Sequence, residues 1–249
     1  MRKILLLLLL SSLFTGNVWA TDYTQDANCQ GAWLFTEGSG TTVADSSVNT
    51  NTGNFASDGH PSWSATVPAA YAAGSADFVD GSSDYIDCGT DSSLNVTGTA
   101  LSIVIWKSKN HFNGNYTLVQ RGAPGAQGWV FGDYTTAGKM SKFGVVDIWI
   151  NGDLGTTDWQ HVAGTWASGD NNLYINGVAQ TSNNNTQNFK TSTNNFYIGR
   201  GETYFDGKIS ETAEFNDTLN STEVNDIMDN GLVGSAPPAA VGKVIMISG

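Results

Sequence analysis

The stretch WQHVAGTWASGDNNLYINGVAQT, residues 159–181, decides the fold class. It contains two polar turns, Ser168–Asn171 and Asn176-Gly177, and the Asn-Gly pair favours positive φ at both central positions of a two-residue hairpin. Neither face of its first apolar run is clearly polar, so this strand can be buried on one face or on both. The stretch predicts three consecutive antiparallel strands, which are His161–Trp166, Asn172–Ile175 and Val178–Thr181.

The same pattern extends over most of the chain. Short apolar runs alternate with clusters of Gly, Asn, Asp and Ser, and helical periodicity is almost absent. Such a sequence is typical of an all-β sandwich or barrel. One helix is predicted near the end, where Ser221 can cap it, Asn230-Gly231 can end it, and Val224, Ile227 and Met228 share one face.

The two ends of the chain have a different character. Arg2 and Lys3 precede a short apolar run, and the sequence before Ala20 suits a signal peptidase, so residues 1–20 are predicted to be a signal peptide. The expected location is secreted or extracellular, with the cell surface or the periplasm as alternatives, and no membrane span is expected in the mature chain. Residues 235–249 form a Pro/Ala linker and a short apolar tail, Val244–Ile247, which either adds to a sheet edge or belongs to a longer protein.

Composition limits the partners and suggests one cross-link. The net charge of −12 repels nucleic acid and anionic membranes, and it suits calcium or neutral glycans better. The two cysteines, Cys29 and Cys88, are predicted to form a disulfide because the protein is exported and has exactly these two. Two buried free thiols are the alternative.

Four segments carry a family resemblance through their order and spacing over about 200 residues. They are Ala32–Gly40 with Val43–Ser47 and Asn51–Gly53; Ala76–Phe78 with Asp84–Ile86; Trp159–Thr165 with Leu173–Gly177; and Ile198–Arg200 with Phe205–Glu211, Phe215-Asn216 and Leu219. Together they resemble the laminin-G-like domains of the concanavalin A-like lectin/glucanase superfamily. The resemblance implies a jelly-roll sandwich of two antiparallel sheets over residues 21–234. It also implies four inward-facing core aromatics, Trp33, Trp106, Trp159 and Phe205.

The resemblance further implies a structural calcium ion near Asp45, with an acid of the last long strand close by. The loop offers Asp45, Asn49, Asn51 and the carbonyl group of Gly53, which are the hard oxygen ligands that calcium prefers. The family commonly has Asp-Glu in the last strand, whereas this chain has Ser210-Glu211, so Glu211 is the remaining acid. The alternative is a solvated loop in which Asp45 caps a turn.

Four aromatic residues fall outside the core positions that the resemblance implies. Aromatic rings that remain exposed beside a groove can stack on sugars, and at least one of the four is expected to do so. For each residue alone, a core or half-buried ring is the alternative. The candidate glycan-binding residues are Trp63, Trp129, Tyr134 and Trp149.

The catalytic patterns of related enzymes are missing. Retaining glucanases of this fold carry Glu-x-Asp-x-x-Glu on one strand, and no such motif occurs here. Glu211 and Glu214 are three residues apart, which places them on opposite faces of a strand. Gln160-His161 faintly resembles part of the alginate lyase site, but the arginine-rich strand is absent, and His161 is expected to be structural.

The sequence therefore predicts a secreted, non-catalytic binding module whose partner is a glycan. The alternative is a structural or adhesion protein that binds other extracellular proteins. A polysaccharide hydrolase or lyase is the weaker interpretation, because no residue set for it is present.

Overall fold

The computed structural model describes residues 21–56, 60–111, 115–123, 127–134, 139–143, 146–151, 154–201 and 203–234, except 181, 183, 187 and 190. For residues 123, 133–134, 139–143 and 146–151 only the backbone position is described. The predicted signal peptide, 1–20, and the tail, 235–249, lie outside the described residues. No helix of the described part is both long and apolar enough to cross a membrane.

The described chain contains sixteen strands and one α-helix. In chain order they are β1 Cys29–Trp33, β2 Thr42–Val43, β3 Gly53–Phe55, β4 Ser62–Ser64, β5 Ser75–Phe78, β6 Ile86–Asp87, β7 Leu101–Lys109, β8 Asn115–Ala123, β9 Gln127–Tyr134, β10 Lys139–Phe143, β11 Val146–Asn151, β12 Gln160–Ala167, β13 Asp170–Ile175, β14 Val178–Ala179, β15 Phe196–Ile198, β16 Gly207–Phe215 and α1 Ser221–Asn230.

The strands form two antiparallel sheets of eight strands each, which confirms the predicted jelly-roll sandwich. Sheet A has the order β14-β13-β12-β7-β16-β5-β4, and β1 pairs with the second half of β16. Sheet B has the order β11-β10-β9-β8-β15-β6-β3-β2. Neighbours far apart in sequence, such as β7 and β16, pair at the centre of sheet A, so both sheets depend on long-range contacts.

The stretch that predicted the fold forms three adjacent strands of sheet A, β12, β13 and β14. Asn176 has φ of 49° and Gly177 has φ of 75°, as the predicted hairpin requires. Seven of the eight residues of β12 are buried, since both faces of this strand are covered. Thr181 lies outside the described residues.

Aromatic side chains fill the space between the sheets. Trp33 of sheet A stacks on Phe196 of sheet B, with ring centroids 5.1 Å apart and planes at 29°. Phe78 of sheet A packs edge-on against Phe205 at 6.1 Å, and Phe131 packs against Trp166 at 5.6 Å. Contacts of this kind are worth about 0.5–1.5 kcal/mol beyond the area they bury.

A second apolar cluster covers the outer face of sheet A. Val224 and Ile227 of α1 pack in a cluster with Ala32 and Ala213 of the sheet. The predicted helix is confirmed, but its N-cap is Asn220 rather than Ser221. The Asn220 side chain accepts bonds from Thr222 and Glu223 N–H, and the Glu223 carboxylate accepts one from Asn220 N–H, which completes a capping box.

Two of the four predicted core aromatics lie between the sheets, and two do not. Trp33 and Phe205 are fully buried in the inter-sheet core. Trp106 is buried on the opposite, outer face of sheet A, where its indole N–H donates to the hydroxyl group of Tyr71. Trp159 lies just before β12, where it is half-buried and lines a surface pocket.

The predicted disulfide is wrong, because both cysteines are free thiols. Cys29 belongs to the cluster on the outer face of sheet A, whereas Cys88 lies in the core between the sheets. The two side chains therefore pack in different layers. Burial raises the pKa of both thiols, with a further contribution from the nearby Asp45 carboxylate.

We expect reductant to leave the melting temperature unchanged, since no cross-link constrains the unfolded chain. Alkylation of the denatured, non-reduced protein should add two labels, as measured by mass spectrometry, while the native protein should label slowly because both thiols are buried. If the denatured protein takes up no label and reduction lowers its melting temperature, the two cysteines form a disulfide.

Candidate functional site

The candidate site begins with the alternation of side chains along β15. Phe196 and Ile198 point into the core, so Tyr197 between them points to the outer face of sheet B. Tyr197 pairs directly with Gln120 of β8 on one side and with Asp87 of β6 on the other. Because paired residues share a face, Gln120, Tyr197 and Asp87 form a row across the sheet.

The turn that follows β15 places an arginine beside this row. Gly199 has φ of 80°, and a Cβ there would lie 2.5 Å from the ring of Phe78, so only glycine fits. The chain then folds back, with Arg200 bridged to Tyr204 and the N–H of Phe205 donating to the carbonyl of Gly199 at 2.8 Å. This short loop fixes both Arg200 and Tyr204.

Three tyrosine rings hold the Arg200 guanidinium, and we call them the tyrosine cage. The central carbon of the guanidinium lies 4.5 Å from the ring centre of Tyr85, 4.8 Å from that of Tyr197 and 5.8 Å from that of Tyr204. Tyr85 and Tyr197 meet edge-on at 5.5 Å. Each cation–π contact of this kind contributes on the order of 0.5–1 kcal/mol when partly exposed.

Beside the cage lies a surface pocket of about 250 Å³, which we call the Tyr197 pocket. The side chains of Thr193, Asn194 and Arg200 there have no hydrogen-bond partner among the described residues. The pocket therefore presents hydroxyl, amide and guanidinium groups around a tyrosine ring. Its lining includes Gln120, Thr193, Asn194, Asn195, Tyr197 and Arg200.

The carboxylate of Asp87, which pairs with Tyr197 across the sheet, is already hydrogen-bonded. Asn195 Nδ2 donates to Asp87 Oδ1 at 2.8 Å and to Oδ2 at 2.7 Å. Burial raises the pKa of Tyr197, Asp87 raises it further, and Arg200 lowers it. The Tyr197 hydroxyl thus stays protonated at neutral pH and can donate a hydrogen bond.

The structure changes the predicted set of glycan-binding aromatics. Trp129 is 3 % exposed and packs against Phe196 in the core, so its prediction as a surface ring is wrong. Trp63 is half-buried against Phe55 and donates its indole N–H to the carbonyl of Gly40 at 2.8 Å. Tyr134 lies in β9 and Trp149 in β11, but their side chains lie outside the described part of the chain.

A second pocket, of about 530 Å³, lies on the outer face of sheet A. It is lined mainly by apolar groups, and its aromatic residues are Tyr71, Trp106 and Trp159. The Tyr71 hydroxyl is committed, since it accepts from Trp106 and donates to the carbonyl of Met228 at 2.7 Å. Compared with the Tyr197 pocket, this one offers fewer free polar groups.

His161, which the sequence predicts to be structural, is buried against Trp106 of this second pocket. It is 1 % exposed and packs edge-on against Trp106 at 5.2 Å, and neither ring nitrogen has a hydrogen-bond partner in the described residues. Burial lowers the pKa of the imidazole to about 3, so the ring is neutral near pH 7. Without a partner to exchange protons with, it is poorly placed for acid–base chemistry.

The acids of β16 are separated, as their spacing predicts. Glu211 faces the outer side of sheet A, where its Oε2 accepts a hydrogen bond from the N–H of Leu232 at 3.2 Å. Glu214 pairs with Ile103, whose side chain lies in the inter-sheet core, and it is fully buried. Burial raises the pKa of Glu214, and Arg121 opposes that shift. The two carboxyl groups thus share no cleft.

The predicted calcium loop is held by the chain itself. Asp45 Oδ1 accepts from the N–H groups of Ala32 and Ser47, both at 2.8 Å, and Oδ2 accepts from Ser47 Oγ at 2.9 Å and Asn51 N–H at 2.6 Å. The amide groups of Asn49 and Asn51 both donate to the carbonyl of Gln30, at 3.2 and 2.9 Å. All four lone-pair directions of the carboxylate are thereby used.

The four hydrogen bonds that Asp45 accepts leave its carboxylate without a free lone pair for a calcium ion. Four of the five predicted ligands, Asp45, Asn49, Asn51 and Gly53, lie close together in sequence. The fifth, Glu211, accepts a hydrogen bond from the N–H of Leu232. No group of three or more His, Cys, Asp or Glu suited to a metal occurs in the described ranges. The contacts favour the alternative in which Asp45 caps a turn, and calcium binding stays a prediction.

Sequence reasoning missed the residues of the tyrosine cage and the Tyr197 pocket. A signal was present, because Phe196-Tyr197-Ile198 alternates apolar and amphipathic residues just before Gly199-Arg200. That pattern predicts an outward tyrosine at a strand end. It does not reveal that Tyr85 and Tyr204 converge on the same arginine, since this depends on pairing between distant strands.

Comparisons with known proteins agree with this architecture. A laminin G family model, described as the concanavalin A-like lectin/glucanases superfamily, matches residues 80–225. Domain 4 of AbnA, an extracellular arabinanase from Geobacillus stearothermophilus solved with arabinotriose, is similar over 82 % of this chain and 100 % of that chain, with 17 % identity and a TM-score of 0.61. No curated protein matches the chain.

Two neurotoxin structures are also similar. The binding domain of botulinum neurotoxin serotype G matches with 16 % identity and a TM-score of 0.59, over 81 % of this chain and 50 % of that chain. The serotype D domain, solved with N-acetylneuraminic acid, matches with 15 % identity, a TM-score of 0.59 and the same coverage. The chain thus spans about half of each neurotoxin domain, and at these identities the likeness extends to the fold.

Asp45→Ala should lower the free energy of unfolding by about 3 kcal/mol or more, because it leaves three buried N–H groups without an acceptor. Chelation of the wild-type protein with EDTA should leave its melting temperature unchanged. Both are read by thermal denaturation, and calcium is measured on the purified protein. A fall in melting temperature with EDTA, reversed by calcium, would show that the ion is structural.

Glu211→Gln should stabilise the protein at pH 8 but have little effect at pH 4. Burial raises the pKa of Glu211 from 4.5 to about 7, so the unfolded chain ionises first and wild-type stability falls as the pH rises from 4.5 to 7. The gain is at most about 3 kcal/mol, measured by urea denaturation. Destabilisation by Glu211→Gln that appears only with added calcium would instead make Glu211 a ligand.

Proposed function

The chain belongs to the concanavalin A-like lectin/glucanase superfamily, and on that basis we propose that it is a secreted, non-catalytic module that binds carbohydrate through the Tyr197 pocket. Fold membership alone does not choose among the activities that this architecture hosts. The observation that carries the proposal is the set of uncommitted polar side chains around Tyr197. A partly exposed aromatic ring with convergent hydroxyl, amide and guanidinium groups matches the alternating apolar and polar surfaces of a sugar.

Features elsewhere in the molecule support binding rather than catalysis. The carboxyl groups of Glu211 and Glu214 lie on opposite sides of sheet A, whereas retaining glycoside hydrolysis needs two of them about 5–5.5 Å apart. His161 is buried and neutral, away from the Tyr197 pocket. The signal-peptide pattern in residues 1–20 supports export, and arabinotriose and N-acetylneuraminic acid in the similar structures support a sugar as the ligand.

The size of the pocket suits a short ligand. Its volume of about 250 Å³ lies just below the range of about 300–1,000 Å³ that is typical of drug-sized ligands. We expect it to hold one sugar unit, with further units extending over the sheet surface.

A second candidate function is adhesion through another protein. The pocket on the outer face of sheet A favours it, because half-buried Trp159 and Met228 present apolar surface there. This function predicts no sugar binding, together with an assembly, measured by analytical ultracentrifugation, that Trp159→Ala abolishes.

Tyr197→Ala should weaken glycan binding at least tenfold, because it removes the ring from the centre of the pocket. The probe is an array of neutral and acidic saccharides that includes arabino-oligosaccharides, followed by calorimetry on the best ligand. Circular dichroism and the melting temperature show whether the variant is folded.

Trp159→Ala is the matched control, since it removes a half-buried aromatic ring from the opposite face of the molecule. It should bind sugar as the wild type does. The proposal fails if no saccharide binds, or if Trp159→Ala rather than Tyr197→Ala abolishes binding.

A further inference from the structure

From the contacts of Arg200 we infer that the Tyr197 pocket selects a sugar unit bearing one carboxylate, which the Arg200 guanidinium binds. The inference rests on the proposed function and names the class of ligand for the same site. It concerns a terminal or isolated acidic sugar rather than a polyuronate chain.

In the described chain, the contacts of the Arg200 side chain are with aromatic rings rather than with hydrogen-bond acceptors. All three cage contacts, with Tyr85, Tyr197 and Tyr204, are to aromatic rings. A guanidinium carries five N–H donors, which lie in its plane. None of these donors has a hydrogen-bond or ion-pair partner in the described chain.

No carboxylate of the described residues forms an ion pair with the Arg200 guanidinium. Asp87 pairs with Tyr197 on the neighbouring strand, and both of its oxygens accept bonds from the Asn195 amide instead of from Arg200. By contrast, Lys208 on sheet A forms an ion pair with Asp77 at 3.1 Å. Among the described residues, Arg200 is thus a half-buried cation without a carboxylate partner, and it lines a pocket.

A carboxylate matches the shape of the Arg200 guanidinium. A planar fork of N–H donors binds a carboxylate through two parallel, charge-assisted hydrogen bonds. The cage restricts rotation of the guanidinium before the ligand arrives, which lowers the entropic cost of binding. The neighbouring Thr193 and Asn194 side chains are then available for sugar hydroxyl groups.

The charge of the whole molecule favours a ligand with a single carboxylate. A net charge of −12 repels an extended polyanion, and the repulsion increases with each added carboxylate. A single carboxylate can still be bound where one cation is exposed at short range. Selectivity for an isolated acidic sugar follows.

The test uses paired ligands on the full-length mature protein. Oligosaccharides that end in glucuronic acid, galacturonic acid or N-acetylneuraminic acid are compared by calorimetry with the same compounds after reduction of the carboxyl group to the alcohol. We expect the wild-type protein to bind at least one acidic form at least tenfold more tightly than its reduced form, with affinity that falls as salt increases.

Variants assign the effect to the guanidinium. Arg200→Gln should remove the preference for the acidic form, and Arg200→Lys should keep only part of it, because an ammonium cannot bind bidentately. Lys208→Gln removes a surface cation from the other sheet and should leave the preference unchanged. The paired ligands give a result on the wild-type protein even if a variant fails to fold.

The outcomes separate this inference from the function it rests on. Equal affinity for the acidic and the reduced sugars overturns the inference while sugar binding stands, as does a preference that Arg200→Gln leaves intact. Preference for sulfated over carboxylated sugars also overturns it. Failure of every saccharide to bind overturns the proposed function and the inference together.

Discussion

The stacking of Trp33 on Phe196 between the two sheets is the contact on which the rest of the site depends. It joins β1 of sheet A to β15 of sheet B and fixes which residues of the short strand β15 face the core. Since strand side chains alternate, Phe196 and Ile198 can be buried only if Tyr197 points outward. A slip of one residue would bury the tyrosine hydroxyl and expose two apolar side chains, so packing specifies the register.

The two sheets use their outer faces differently. The outer face of sheet A is covered by α1 and its apolar cluster, and there His161 and Glu211 are buried with few partners. Charge on either residue costs free energy in that environment, which is why burial shifts their pKa values in opposite directions, as expected for a base and an acid. On sheet B the Tyr197 row stays partly exposed, and there charged and polar groups remain available for a ligand.

The sequence predicted those features that depend on local pattern. The hairpins of residues 160–179, the short late helix and the two-sheet sandwich follow from period-two alternation, turn chemistry and the family resemblance. The errors concern the layer of the sandwich in which a side chain packs. Trp129 was predicted at the surface and lies in the core, whereas Trp106 was predicted between the sheets and lies on the outer face of sheet A. Cys29 and Cys88 pack in separate layers, which the cellular compartment and the number of cysteines do not reveal. The tyrosine cage escaped sequence reasoning because Tyr85, Tyr197 and Tyr204 meet only after β6, β15 and the 200–204 loop are assembled.

The proposed function places the bound sugar on the outer face of sheet B, at the Tyr197 pocket. Chemical-shift mapping of the ¹⁵N-labelled protein during titration with its best saccharide ligand tests this most directly. We expect perturbed backbone amides at Gln120 and across residues 193–201, with the Arg200 side-chain signal shifting at the same ligand concentrations, and little change at Tyr71, Trp106 and Trp159. Perturbations confined to those three residues of sheet A, with residues 193–201 unaffected, would contradict it.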